Sequence, residues 1–178
     1  MSEENLPLTI DPFRFADNAI CLQGSFFLEN MKRLVPSLGQ KEGRVQVMLQ
    51  FGVDEQGTRF LSGELSTELP LICQRCLGSF AFPVQERFLA GIVHTDEEAE
   101  KLSKRYDPLI VKDGILQLRE VVEDELIIGL PIVPVHTSED QCKVKMPYVL
   151  DLKPEDDKDN PFKVIEVLRT KNPNNSSK

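Results

Sequence analysis

The chain has 178 residues, 40% of them hydrophobic, and its 21 Lys and Arg stand against 29 Asp and Glu, a formal net charge of -8. That length and apolar content can bury one respectable core, and no shift in composition divides the chain into two complete domains. The negative balance disfavours encounter with bare phosphate backbone and favours basic proteins, and four irregularly spaced cysteines are too sparse for a disulfide scaffold.

The opening MSEENLPLTI lacks the basic start and apolar stretch of a signal peptide, and no apolar run approaches the roughly 18 to 20 residues that span a bilayer. A cytoplasmic protein without membrane association is expected. DPFRFADNAICLQGSFFLENMKRLVPSLG reads as a short helical turn, a strand and another short helix, with Cys21 in the apolar strand and assigned to the core. RVQVMLQFGV, from Arg44, alternates Val45, Val47, Leu49, Phe51 and Val53 with mostly polar neighbours, the period of a half-buried strand. DEQG, Asp54 to Gly57, is then a turn, and TRFLSGELSTEL returns as the second strand of a hairpin, with Gly63 as a candidate bulge. FAFPVQERFLAGIV resumes the alternation through Phe80, Phe82, Val84 and Phe88, while Pro83 cannot donate to a ladder and marks an edge or a bulge.

Between those strands lies PLICQRCLGSF. A C-x-x-C turn is the usual half of a zinc site, because two thiolates three positions apart can face one ion while the intervening amides bond to sulfur. Cys73 and Cys76 fit that half, and Gly78 suits the tight reversal of such a knuckle. The other half would come from His136 and Cys142 in HTSEDQC, but that spacing in a polar segment is a weak ligand signature. A structural thiol pair is therefore preferred to a four-ligand zinc site, with zinc as the alternative cofactor. A redox pair needs a helix starting at the first cysteine, and the following LGSFAFPV is strand-like.

HTDEEAEKLSKRY predicts a short helix, with Thr95 capping and Glu98 reaching back as the other half of a capping box. Lys101, Lys104 and Arg105, beside Tyr106, form the densest basic cluster, offset by the preceding DEEAE and read as helix solubility. ILQLREVVEDELIIGLP predicts the better helix, with Ile115, Leu118, Val122 and Leu126 on one face and a stop at Gly129 and Pro131. Glu120, Glu123 and Asp124 fall on the opposite, solvated face. Glu125 lands among apolar residues, where it needs an arginine partner, Arg75 or Arg119, or an exposed interface. Past Pro134 the texture turns charged and rich in proline and asparagine, as in extended or partly disordered chain. One apolar island, NPFKVIEVLR, offers Phe162, Val164, Ile165 and Leu168 for a short amphipathic helix over 161–169.

These readings give an α+β fold, an antiparallel β-sheet or partly open barrel with a few packed helices, over residues 1–134, and an extended tail over 135–178. No phosphate-cradling glycine loop or G-x-S-x-G elbow occurs, and the two histidines, His94 and His136, lie in unrelated contexts. No enzyme is expected. A contact surface is expected from Arg75 in the cysteine turn, Glu123, Asp124 and Glu125 on the helix, and Phe162 in the tail.

LPLTIDPFRFA, CQRCLGSF, YDPLIV, VVEDELIIGLPIVPVHTSEDQC and NPFKVIEVLR, in that order and at that spacing, together resemble the bacterial YceD family, the large ribosomal RNA subunit accumulation proteins. The resemblance covers nearly the whole chain. It implies a non-enzymatic role in the synthesis, processing or stability of the large-subunit (23S) ribosomal RNA, with no catalytic residue to carry over. Some members have a cysteine-rich segment after the helix ending in LP, and this chain retains only Cys142 there, a departure that weighs against zinc. Combined with the acidic charge, the resemblance implies an adaptor that binds a basic large-subunit ribosomal protein or a pre-ribosomal particle and associates with ribosomal RNA indirectly. The alternatives are a direct RNA-binding or RNA-processing protein, or a small zinc-binding module.

Overall fold

Period-two alternation builds the central sheet of the computed structural model, which describes residues 6–138 together with Gln141 and Cys142. Strands β2 (Cys21–Phe27), β3 (Arg44–Val53), β4 (Arg59–Ile72) and β5 (Ser79–Val93) pair antiparallel in chain order, and β6 (Asp107–Ile110) adds to β5 in parallel. The register places Val47 opposite Leu65 and Leu49 opposite Gly63. Val45, Val47, Leu49, Phe51, Leu61, Leu65, Leu69, Leu71, Val84 and Phe88 therefore share one buried face, as a strand repeat of two requires. The sheet stays open and does not close into a barrel, and it is antiparallel except for the β5–β6 pair. A separate two-stranded ribbon joins β1 (Thr9–Ile10) to β7 (Leu116–Gln117).

Helix α1 (Pro12–Asp17) is capped by Asp11, whose carboxylate accepts from the Arg14 N–H at 3.0 Å. It ends in a Schellman turn, with Ile20 N–H donating to the Phe15 carbonyl and Ala19 N–H to that of Ala16, both at 3.1 Å. Phe15 packs edge-to-face on Phe51 of β3, with ring centroids 5.5 Å apart. Two 3-10 turns follow β2, at Leu28–Asn30 and Val35–Ser37. Helix α2 (Asp96–Ala99) carries the expected cap, with the Thr95 hydroxyl accepting from Glu98 N–H and the Glu98 carboxylate accepting from His94 N–H. Helix α3 (Leu118–Ile128) seals Leu118, Val122 and Leu126 in the core.

Several expectations are corrected. Gly63 is no bulge: it keeps register with Leu49 and Phe88, and its missing side chain makes room for the Phe88 ring, which any Cβ there would strike. Ile115 precedes α3 and is exposed. Cys21 is exposed, because its side of β2 is the uncovered sheet face. The basic cluster lies past the end of α2, and Arg105 serves structure instead: its guanidinium and the Tyr106 hydroxyl both donate to Asp54, fastening the β3–β4 turn. His94 is exposed and stacks on Phe13, with ring centroids 3.9 Å apart.

Pro83 sits where β5 is a free edge, because β6 pairs only with Ala90 to Val93. No helix among the described residues is long and apolar enough to cross a membrane. Every described residue belongs to one compact unit, Met1–Lys143. The 161–169 segment and Phe162 lie outside the described residues.

Candidate metal centre

The cysteine turn is the tip of the longest hairpin among the described residues, β4–β5. Beyond β4 the ladder continues for one more pair, with Cys73 N–H donating to the Gly78 carbonyl at 2.9 Å, and Leu77 N–H closes the turn onto the Cys73 carbonyl at 2.8 Å. The left-handed residue is Leu77, at φ 59°, and not Gly78. Cys73 is fully buried and Cys76 half-buried.

After α3 the chain turns at Gly129 and runs back to the knuckle, where the Pro134 carbonyl accepts from Gln74 N–H at 2.8 Å. That bond delivers His136 and Cys142. The ligand atoms of Cys73, Cys76, His136 and Cys142 all lie within 4.8 Å of one another. Cys73 Sγ stands 4.0 Å from Cys142 Sγ. His136 Nδ1 stands 3.6 Å from Cys76 Sγ and 3.5 Å from Cys142 Sγ. The His136 ring leans on Phe80, with centroids 4.8 Å apart.

Zinc bonded to sulfur at about 2.3 Å and to nitrogen at about 2.0–2.1 Å in a tetrahedron separates sulfurs by about 3.8 Å and sulfur from nitrogen by about 3.6 Å. The three spacings of 3.5 to 4.0 Å lie close to that figure, and the widest in the set reaches no more than 4.8 Å. At 4.0 Å the Cys73 and Cys142 sulfurs are too far apart for a disulfide bond of about 2.05 Å. The electrostatics also suit a cation. Burial pushes the Cys73 thiol up, but the backbone N–H groups of Cys76, His136 and Arg75, with the His136 side chain, outweigh it and hold the thiol down to about 5. Burial and the neighbouring Cys76 and Cys73 sulfurs push the Cys142 thiol up to about 11. Three crowded sulfurs cannot all ionise cheaply without a positive charge among them. The sequence preferred a thiol pair; the fold brings all four candidate ligands to one point.

The expected contact residues fare differently. Arg75 is exposed on the knuckle. Asp124 is exposed and pairs with Arg33. Glu123, expected on the solvated face, is only 4% exposed. Its carboxylate accepts from the Arg33 and Leu34 N–H groups at 2.6 and 3.1 Å and meets the Arg33 guanidinium at 3.4 Å. The helical wheel erred because the 31–37 segment covers that side of α3, and the Lys32–Leu34 turn needs a buried acceptor. Glu125 finds neither expected arginine. Burial first, then the carboxylates of Asp107, Asp124 and Glu86, push its carboxyl up, and no cation pairs with it among the described residues. The Arg33–Glu123 anchor was not foreseen, because residues 90 positions apart leave no periodic signal.

An open, largely antiparallel sheet backed by short helices, with three cysteines and a histidine gathered at a hairpin tip in an arrangement that could hold a metal ion, defines a small α+β protein. The sequence pattern described as "Large ribosomal RNA subunit accumulation protein YceD" matches residues 61–169. The chain is 33% identical over 175 residues to the "Large ribosomal RNA subunit accumulation protein YceD" of Haemophilus influenzae, an alignment covering 96% of this chain and all of that protein. The chain belongs to the YceD family. No solved structure matches it at a significant level.

Proposed function

We propose that this protein is a non-enzymatic factor that supports the synthesis, processing or stability of the 23S ribosomal RNA by binding a basic large-subunit ribosomal protein or a precursor particle in the cytoplasm. The observation that carries this reading is family membership: the related protein from Haemophilus influenzae, matched from end to end, is named for large ribosomal RNA subunit accumulation. The net charge of -8 supports a protein partner over naked RNA. The reading includes one zinc ion held by Cys73, Cys76, His136 and Cys142. Four protein ligands leave no open position for substrate, so this zinc is structural, tying Cys142 and the strap after α3, residues 129–136, to the hairpin.

The test is affinity purification from growing cells with sedimentation of the extract at low and high salt. Co-migration with large-subunit precursors at low salt, and a fall in 23S relative to 16S RNA when the gene is removed, are expected. Absence of co-migration at low salt refutes the adaptor reading, as does cleavage of precursor RNA by the isolated chain. Binding of bare RNA with a steep salt dependence instead favours a direct RNA binder. For the metal, native mass spectrometry gives one zinc per chain, lost in Cys76→Ser. A chain purified from zinc-supplemented cells without zinc refutes the site.

A further inference from the structure

The apolar run IIGLPIVPV, Ile127 to Val135, is long enough to make a core strand, yet much of it is not buried. Ile128 is 77% exposed, Ile132 97% and Val133 55%, and Leu77 on the knuckle is 77% exposed. Scattered single apolar residues on a surface are ordinary, but a run of them on one strap is costly unless something covers it. The Gln74–Pro134 hydrogen bond seats Ile132 and Val133 beside the knuckle that carries Leu77, and Ile128 ends the helix that leads into the strap.

Negative charge borders this surface. The Glu86 carboxylate lies over Gly129, where an added Cβ would stand 2.8 Å from its Oε1. Glu86 and Asp107 lie close enough to Glu125 to disfavour its charge, and none of the three has a cationic partner among the described residues. An apolar surface edged by uncompensated carboxylates complements a segment that carries apolar anchors between Lys or Arg residues.

We propose that Leu77, Ile128, Ile132 and Val133, bordered by Glu86 and Glu125, form the docking surface for a basic protein of the large ribosomal subunit, and that the metal centre assembles this surface by holding the strap against the knuckle. This rests on the adaptor reading above and assigns its contact face. In it the apolar residues supply the anchor and the carboxylates set the salt dependence and the choice of a cationic partner.

The experiment uses the full-length, zinc-loaded chain immobilised and challenged with total protein extracted from purified large ribosomal subunits. The variants are Ile132→Glu, Leu77→Glu, Glu86→Gln with Glu125→Gln, and a control, Met48→Glu, on the uncovered face of β3, where Met48 is 49% exposed. Zinc content and thermal unfolding establish that each variant is folded. Wild type and Met48→Glu are expected to retain the same few basic proteins. Ile132→Glu and Leu77→Glu should each weaken retention about ten-fold, and the double Gln variant should weaken it less and flatten its salt dependence. If wild type binds while Ile132→Glu and Leu77→Glu bind equally well, the surface is wrongly assigned and the adaptor reading stands. If Met48→Glu loses binding as much as they do, the assignment also fails. If wild type retains nothing even at low salt, the docking surface and the basic-protein form of the adaptor reading both fall, and co-migration with precursor particles decides the rest.

Discussion

Glu123 offers a direct test of how the fold is fastened. Replacing it with alanine removes the acceptor of two backbone N–H groups, those of Arg33 and Leu34, and the carboxylate facing the Arg33 guanidinium. At 4% exposure water cannot readily take its place. Stranding a buried donor costs about 1–3 kcal/mol, and two donors are stranded here, whereas the half-exposed Arg33 guanidinium is left to water at little cost. Glu123→Ala should therefore lose about 2–4 kcal/mol, which for a chain of this size lowers Tm by roughly 4–16 °C. Glu123→Gln keeps one acceptor oxygen and should lose only about 1–2 kcal/mol. Asp124→Ala removes the neighbouring ion pair to Arg33, in which both side chains are about half exposed, and should cost under about 1 kcal/mol. Urea denaturation followed by circular dichroism, at saturating zinc so that metal loss does not intervene, measures all three. Equal costs for Glu123→Ala and Asp124→Ala would refute the assignment of Glu123 as the anchor of the Lys32–Leu34 turn.

Ala19, at φ 49°, occupies the left-handed position of the Schellman turn that ends α1, so Ala19→Gly should stabilise the protein by about 0.5–1 kcal/mol in the same denaturation assay. Burial pushes the Asp54 carboxyl up, but the Thr58 N–H, the Tyr106 hydroxyl, the Gln56 N–H and Arg105 together hold it down to about 2. Its contribution to stability is thus present above its ordinary value of 3.8 and lost as pH falls toward 2, and Asp54→Asn should flatten that acid limb in a series of thermal melts. The raised Glu125 carboxyl has the opposite sign. Its native state holds the proton more tightly, so stability falls as pH rises from the ordinary carboxylate range through the raised value, and Glu125→Gln should raise Tm at pH 7. Zinc titrated into the metal-free chain should stabilise it by about 1.4 kcal/mol per ten-fold rise in free zinc above Kd, and Cys142→Ser should abolish that slope.

The alternation from Val45 to Phe51 and the return from Phe60 marked β3 and β4 without help from the rest of the chain, because with one buried face a one-residue slip would turn every apolar side chain to solvent. The Thr95–Glu98 cap and the Leu118, Val122 and Leu126 stripe were likewise local signals, complete within one turn or one helix face. The candidate metal centre was half legible. Cys73 and Cys76 announce a knuckle by spacing alone, whereas His136 and Cys142 are 60 and 69 residues away from the knuckle sulfurs they approach, and only the strap's return to Gln74 places them. Glu123 marks the limit of a helical wheel. It assigns angles around an axis, but the 31–37 segment decides which angle is solvent. Periodicity encodes what a residue needs from its own element; the closing of distant segments on one another settles which sulfurs share a point, which carboxylate is buried, and which isoleucines stay exposed.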